Sequence, residues 1–208
     1  ETDDIRSHML YFLENHDEQR IASDFFAGSA LRGVPGMVVS VLLQTNPFML
    51  YAGQEFGESG MEREGFSGKD GRTTIFDWWS VRSLARLWEY VHTGSGLEDD
   101  QARVLSRYRK ALAAASEPLF SEGATYDLCY CNAGSPIFDP DRNFAFLRST
   151  GDKTCLLACN FSDTAASIGI NVPEDAFACL GITQSKELDP QTLIELEVPG
   201  WGFSILYL

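Results

Sequence analysis

Basic residues are scarce: 16 Lys and Arg stand against 30 Asp and Glu in 208 residues, a net charge of −14. Such a charge repels phosphate backbones and anionic lipid, which excludes a nucleic-acid partner and a membrane-surface role and leaves neutral substrates open. No apolar run reaches the length of about 18 residues that a spanning helix needs, so no segment is expected to cross a membrane. The opening residues ETDDIRSH carry no apolar signal-peptide core; the chain is expected to begin either mature or inside something longer. Histidine occurs only at 8, 16 and 92, and the five cysteines (129, 131, 155, 159 and 179) form no C-x-x-C knuckle near them. That spacing argues against a zinc site, and no metal or cofactor is expected. The cysteine count is odd and reads as buried free thiols, which favours a reducing, cytoplasmic compartment, with secreted or periplasmic settings left open. Cys129 and Cys131 are read as alternate positions of a strand, sharing one sheet face. No repeat or low-complexity segment is present.

What remains is an ordinary globular composition, 44% hydrophobic and 22% charged, in a chain long enough for one large domain or two ordinary ones. HMLYFL, residues 8–13, reads as a strand buried on both faces. Residues 31–45 follow, with Pro35 where a first helical turn tolerates it and MVVSVLLQT behind, and then a second apolar run, PFMLYAGQE, at 47–55. The order is strand, helix, strand: one βαβ unit with its polar residues at the strand ends. Residues 56–75 hold five glycines among charged residues and read as a long surface loop, in which Lys69, Asp70 and Arg72 are expected to face solvent.

Asp77 is placed to cap a helix over WWSVRSLARLW, with Val81, Leu84, Ala85, Leu87 and Trp88 as its apolar stripe. A second helix is predicted over 97–116, with Glu98, Asp99 and Asp100 at its start and Arg107, Arg109 and Lys110 toward its end, as the helix dipole favours. Its buried face is expected to be Val104, Leu105, Tyr108, Leu112 and Ala115. After Phe120 come short β-rich runs (TYDLCYC, NFAFLRS, KTCLLACNF, ASIGINV, QTLIELEV and GFSILYL), which suggest an antiparallel β-sandwich. The expected domains are 1–119 (α/β) and 120–208 (all-β).

Phe12, Asn15, His16 and Asp17 read F-x-x-N-H-D, and this pattern resembles the fourth conserved region of the α-amylase family, family 13 of the glycoside hydrolases. PFMLYAGQE resembles the family's eighth barrel strand, the helix at 97–116 its last barrel helix, and the β-rich end its all-β C-terminal domain. The resemblance covers nearly the whole chain, and Asn-His-Asp is its specific part. It implies the last two strand-helix units of a TIM (β/α)8 barrel followed by the C-terminal domain. The substrate it implies is an α-linked glucan.

In such barrels the active site lies at the C-terminal strand ends. The resemblance gives Asp17 the role of transition-state stabiliser and makes His16 and Asn15 substrate ligands, with Trp78 as a stacking platform and Arg20 and Glu55 as supporting residues. Phe76, Trp78 and Trp79 are alternatively core anchors at a helix start, and Asn15-His16-Asp17 is alternatively a plain turn bonded to local backbone. Arg20 is expected to pair with Asp17 or Glu55, while Glu14 and Glu18 face solvent. A retaining glycosidase needs a nucleophile and a protonated carboxyl about 5 Å apart. In the family both come from strands four and five, and no G-x-R-x-D motif or equivalent Glu-bearing strand occurs here. The segment alone is therefore expected to be inactive. Transglycosylases and isomerases of the trehalose synthase type carry the same motif, and a glucan-binding or scaffolding module is the rival reading. With six barrel strands absent, the isolated chain is expected to self-associate or to hide its apolar faces in another packing.

Overall fold

The two apolar runs flanking the Pro35 helix pair with each other. In the computed structural model, which describes residues 5–60, 70–73, 82–183, 185 and 188–208, strand β1 (Tyr11–Phe12) lies parallel to β2 (Phe48–Met49), with Tyr11 opposite Phe48 and Phe12 opposite Met49. Parallel neighbours need a crossover. Helix α1 (Val34–Leu42), entered through a 3-10 turn at Ala30–Gly33, supplies it, with Pro35 in the first turn, where a missing N–H costs nothing.

The strand over 8–13 is shorter and far more open than the sequence suggests. Arg6–His8 is a 3-10 turn, only two residues join the ladder, and Phe12 is 43% exposed, with Met9 and Leu10 exposed beside it. The reason is topological: this sheet has two strands among the described residues, so a run suited to burial on both faces has little laid over it.

Helix α2 (Arg82–Thr93) is present, whereas the expected cap Asp77, with Phe76, Trp78, Trp79 and Val81, lies outside the described residues, as does Lys69. Its apolar stripe is shallow. Leu84 and Leu87 are half-buried, Ala85 and Trp88 are exposed, and the Trp88 ring stacks on His92 at 3.9 Å. Helix α3 (Asp99–Ala115) begins on Asp99 and Asp100, as the dipole favours. Val104, Leu105 and Tyr108 are buried, as predicted, but the stripe continues through Ala111 and Ala114, and Leu112 turns outward.

The chain forms two compact units, Glu1–Met37 with Asn46–Lys110, and Val38–Thr45 with Ala111–Leu208.

In the second unit α4 (Pro118–Ser121) leads to β3 (Ala124–Asp127), a short helical turn α5 (Cys129–Asn132), β4 (Asn143–Ser149), β5 (Thr154–Asn160), β6 (Ala166–Ile170), α6 (Glu174–Leu180), β7 (Ile194–Val198) and β8 (Gly202–Tyr207). The strands form an antiparallel four-stranded sheet in the order β3-β4-β5-β8 and a separate antiparallel pair, β6-β7. Ala145, Leu147, Leu156 and Ala158 from the larger sheet share a core with Ile168, Ile170, Leu196 and Val198 from the smaller one and with Ala176, Phe177 and Leu180 of α6. The period-2 pattern gives these faces; α6 was not foreseen, because EDAFACL is too short to show a helical period.

Cys129 and Cys131 do not share a strand face. The strand stops at Asp127, whose Oδ1 accepts the Cys129 N–H at 2.8 Å, and Asn132 Nδ2 donates to the Leu128 and Asn171 carbonyls at 2.8 and 2.9 Å, which holds the next residues in a helical turn. All five cysteines are free; Cys155 and Cys159 are buried, Cys129 is half-buried, and Cys131 and Cys179 are exposed.

Candidate functional site

The chain leaves β1 through Leu13 and Glu14 and turns on Asn15. Asn15 Oδ1 accepts the backbone N–H of Asp17 at 2.8 Å and of Glu18 at 2.9 Å. This is the local turn that a short amide side chain makes, and here it serves to present the next two side chains outward. His16 is 49% exposed and Asp17 76%, with His16 Nε2 at 3.5 Å from Asp17 Oδ2. Asn15 is therefore committed to the backbone, while Asp17 offers carboxylate oxygens as acceptors and His16 a ring N–H as donor.

Beneath this exposed pair lies a buried one. Arg20 Nη1 meets Glu14 Oε2 at 2.8 Å, with the side chains only 1% and 2% exposed, and the other Glu14 oxygen accepts the Ile21 N–H at 2.8 Å. The remaining guanidinium groups reach the Ala52 carbonyl just past β2 and Thr73 Oγ1, each at 2.9 Å, and the cation sits 4.2 Å from the centre of the Tyr51 ring. A buried arginine must spend its donors in this way. Burial lifts the Glu14 carboxyl above its ordinary value, against the hydrogen bond and charge of Arg20.

The partner of Arg20 differs from the expected ones. Neither Asp17 nor Glu55 pairs with it, and Glu14, expected to face solvent, does. The only hint in the sequence is that a carboxylate and an arginine bracket the polar run from Asn15 to Gln19. Glu55 stands on the 3-10 turn Gln54–Phe56, and its Oε2 is buried without a hydrogen-bond partner among the described residues. Trp78 lies outside the described residues.

The segment 70–73 backs the turn from the other side. Gln19 Nε2 donates to the Asp70 carbonyl at 3.1 Å and the Arg20 N–H to that of Gly71 at 2.7 Å. Asp70 and Arg72, expected to keep the loop solvated, are partly buried and pair with each other, Arg72 Nε to Asp70 Oδ2 at 2.8 Å. Another residue the sequence did not single out is Glu58. It is buried, and it accepts the Gly60 N–H at 3.1 Å and the Ser83 N–H in the first turn of α2 at 3.2 Å. Gln54, also buried, donates to the Tyr108 hydroxyl at 2.8 Å. Among the described residues no group of three or more His, Cys, Asp and Glu side chains is placed to hold a metal ion, and no helix is long and apolar enough to cross a membrane.

No family model and no curated protein sequence matches the chain. Solved structures do match it in fold. The debranching enzyme of Nostoc punctiforme, soaked with acarbose, is similar over 94% of this chain and 33% of its own, at 17% identity and a TM-score of 0.54. The α-amylase of Geobacillus thermoleovorans complexed with acarbose is similar over 96% of this chain and 38% of its own, at 14% identity and TM-score 0.56. A trehalulose synthase is similar over 96% and 43%, at 18% identity and TM-score 0.52. The chain thus spans between a third and about two fifths of the length of these structures. The resemblance carried by Asn15, His16 and Asp17 extends to the fold: nearly all of this chain folds like one portion of an α-amylase-type enzyme, consistent with the C-terminal portion.

Proposed function

We propose that this chain is the C-terminal portion of an α-amylase-type glycoside hydrolase that acts on α-linked glucans with retention, and that the turn 15–17 is its contribution to the substrate cleft. The observation that carries this reading is the pairing of an exposed His16 and Asp17 at the C-terminal end of a strand in a parallel βαβ unit. That is where barrel enzymes place the side chains that touch substrate.

In this reading Asp17 stabilises the oxocarbenium-like transition state by holding sugar hydroxyls, and His16 donates a hydrogen bond in the same subsite. Asn15 sets their geometry through the backbone. Nucleophile and general acid belong to sequence that this chain does not contain, so the segment alone is inactive and α-glucan oligosaccharides bind only to the whole enzyme. The test is α-glucan turnover by the natural polypeptide that carries this segment, as wild type and as Asp17→Asn, with product analysis. A loss of about 100-fold or more in kcat with the fold intact supports the role of Asp17. Equal activity of the two forms refutes it.

Isomerisation or transglycosylation is the second reading, favoured by the likeness in fold to a trehalulose synthase. Rearranged sugars in place of reducing-end hydrolysis products identify it.

A further inference from the structure

We propose that Glu14 is a positioning residue for the sugar-facing turn: by pairing with Arg20 and accepting the Ile21 amide, it closes residues 15–19 into a fixed arch that holds His16 and Asp17 outward. The inference rests on the reading of that turn as a substrate site, and its physical part can be tested without it.

The arch has two levels. Its inner shape comes from Asn15, whose hydrogen bonds among the described residues go to the Asp17 and Glu18 amides. Those bonds fix a turn but not where the turn stands. Its feet are Glu14 and Arg20, side chains 2.8 Å apart, and the Glu14 carboxylate uses one oxygen for Arg20 and the other for the Ile21 N–H. Arg20 is immobilised by the Ala52 carbonyl, Thr73 Oγ1 and the Tyr51 ring, so it acts as a post anchored to the end of β2 and to segment 70–73. Glu14 is the link between that post and the strand on which the turn begins.

Three acidic residues lie between positions 14 and 18, and only the first is buried. Among the described residues Asp17 and Glu18 have no such duty, and the exposure of Asp17 leaves its carboxylate accessible to a ligand. Loosening the feet would let the Asp17 carboxylate shift, and a displacement of about 1 Å in a catalytic group can cost roughly 100-fold in rate. Glutamate suits the position because its length spans both partners. Aspartate keeps the charge but loses reach, and glutamine keeps the reach but loses the charge.

The experiment is backbone amide exchange at Asp17, Glu18 and Ile21 in the natural polypeptide, as wild type, Glu14→Gln and Glu14→Asp, with the β4 and β5 amides as the fold control and kcat and KM measured in parallel. The expected result is exchange about tenfold faster at Asp17 and Glu18 in Glu14→Gln with the sheet amides unchanged. With it comes a fall in kcat larger than any rise in KM, partly recovered in Glu14→Asp. Unchanged protection at Asp17 and Glu18, or equal loss of protection throughout the protein, overturns the proposal. Should neither variant fold, wild type decides: Asp17 and Glu18 amides that exchange as fast as an unstructured peptide rule out a fixed arch, and slow ones support it. A natural polypeptide that neither binds nor turns over α-glucan would sink the functional reading, while the exchange data would still report on the clamp.

Discussion

Arg148 Nη1 donates to the carbonyl oxygen of Leu43 at 2.9 Å, across 105 residues of sequence. Leu43 follows the last residue of α1, so a cation closes the C-terminal end of that helix, where the dipole favours positive charge. Arg148 Nη2 donates to the Phe120 carbonyl at 2.5 Å, and Nη1 also reaches Thr125 Oγ1, whose hydroxyl bonds Leu43 in turn. The side chain is buried on β4 with no carboxylate beside it among the described residues, and burial lowers its pKa without removing its charge. Replacing it removes the side-chain donor of the Phe120 carbonyl and leaves the Leu43 carbonyl and the Thr125 hydroxyl only their bond to each other. Arg148→Met is expected to destabilise the second unit by about 3 kcal/mol or more, read as lost exchange protection in β4 and β5 under mild urea. Arg148→Lys, with one compact head in place of a fork, recovers only part of it.

That residue also shows where the sequence stops being legible. NFAFLRS reads as a strand from its alternation, and Ala145 and Leu147 fall on the core face as the period requires. Nothing local says that the arginine two residues before the turn is buried, because its acceptors lie far away in the chain. The same holds for Glu14 and Arg20, whose burial depends on Ala52 and Thr73. Conversely, the turn at Asn15 was readable, since an Asn side chain bonds backbone two and three residues on. The run at 8–13 is more exposed than its composition suggests because apolar composition reports suitability for burial, whereas actual burial needs neighbouring strands.

Gly53 stands at φ +91°, and a Cβ there would lie 2.9 Å from Ser83 Oγ and 3.0 Å from Glu58 Cβ. The left-handed backbone and the close approach both require glycine. Gly53→Ala is expected to cost about 2–3 kcal/mol, and because Glu58 holds the Ser83 amide at the start of α2, part of the loss should appear as reduced helical circular dichroism.

The thiols make the second unit sensitive to alkali. Burial pushes Cys129 and Cys155 up to about 12 from an ordinary value of 9.0, and raises Cys159 further. Below pH 9 both folded and unfolded chains hold these protons, and the stabilising contribution is complete. Between 9 and 12 the unfolded chain releases them and the folded one does not, so stability falls as pH rises, by about 1.4 kcal/mol per pH unit for each such thiol. Denaturant midpoints should therefore drop steadily above pH 9, and less steeply in Cys129→Ala/Cys155→Ala. A midpoint independent of pH up to 11 contradicts this. At pH 8 an alkylating reagent should label exposed Cys131 and Cys179 ahead of the other three, with mass spectrometry identifying the sites.

Large apolar side chains crowd the outside of the first unit: Ile5, Met9, Leu10, Phe12, Phe25 and Phe26 are all exposed. Leu10 and Phe12 are two residues apart, which in an extended chain places them on one face, and β1 has β2 as its sole ladder partner among the described residues. Open strand edges next to bare apolar faces recruit further strands or further copies. The isolated 208-residue chain is therefore expected to show an average mass by light scattering that rises with concentration. The net charge of −14 opposes association at long range, so added salt should strengthen it by screening that repulsion. Leu10→Lys/Phe12→Lys should return the mass toward that of a monomer without loss of the β4-β5 sheet signals, since both side chains are exposed. A monomeric mass for the unmodified chain at every concentration and at high salt would show that these side chains are covered within the chain itself, and the open-edge account of β1 would fall.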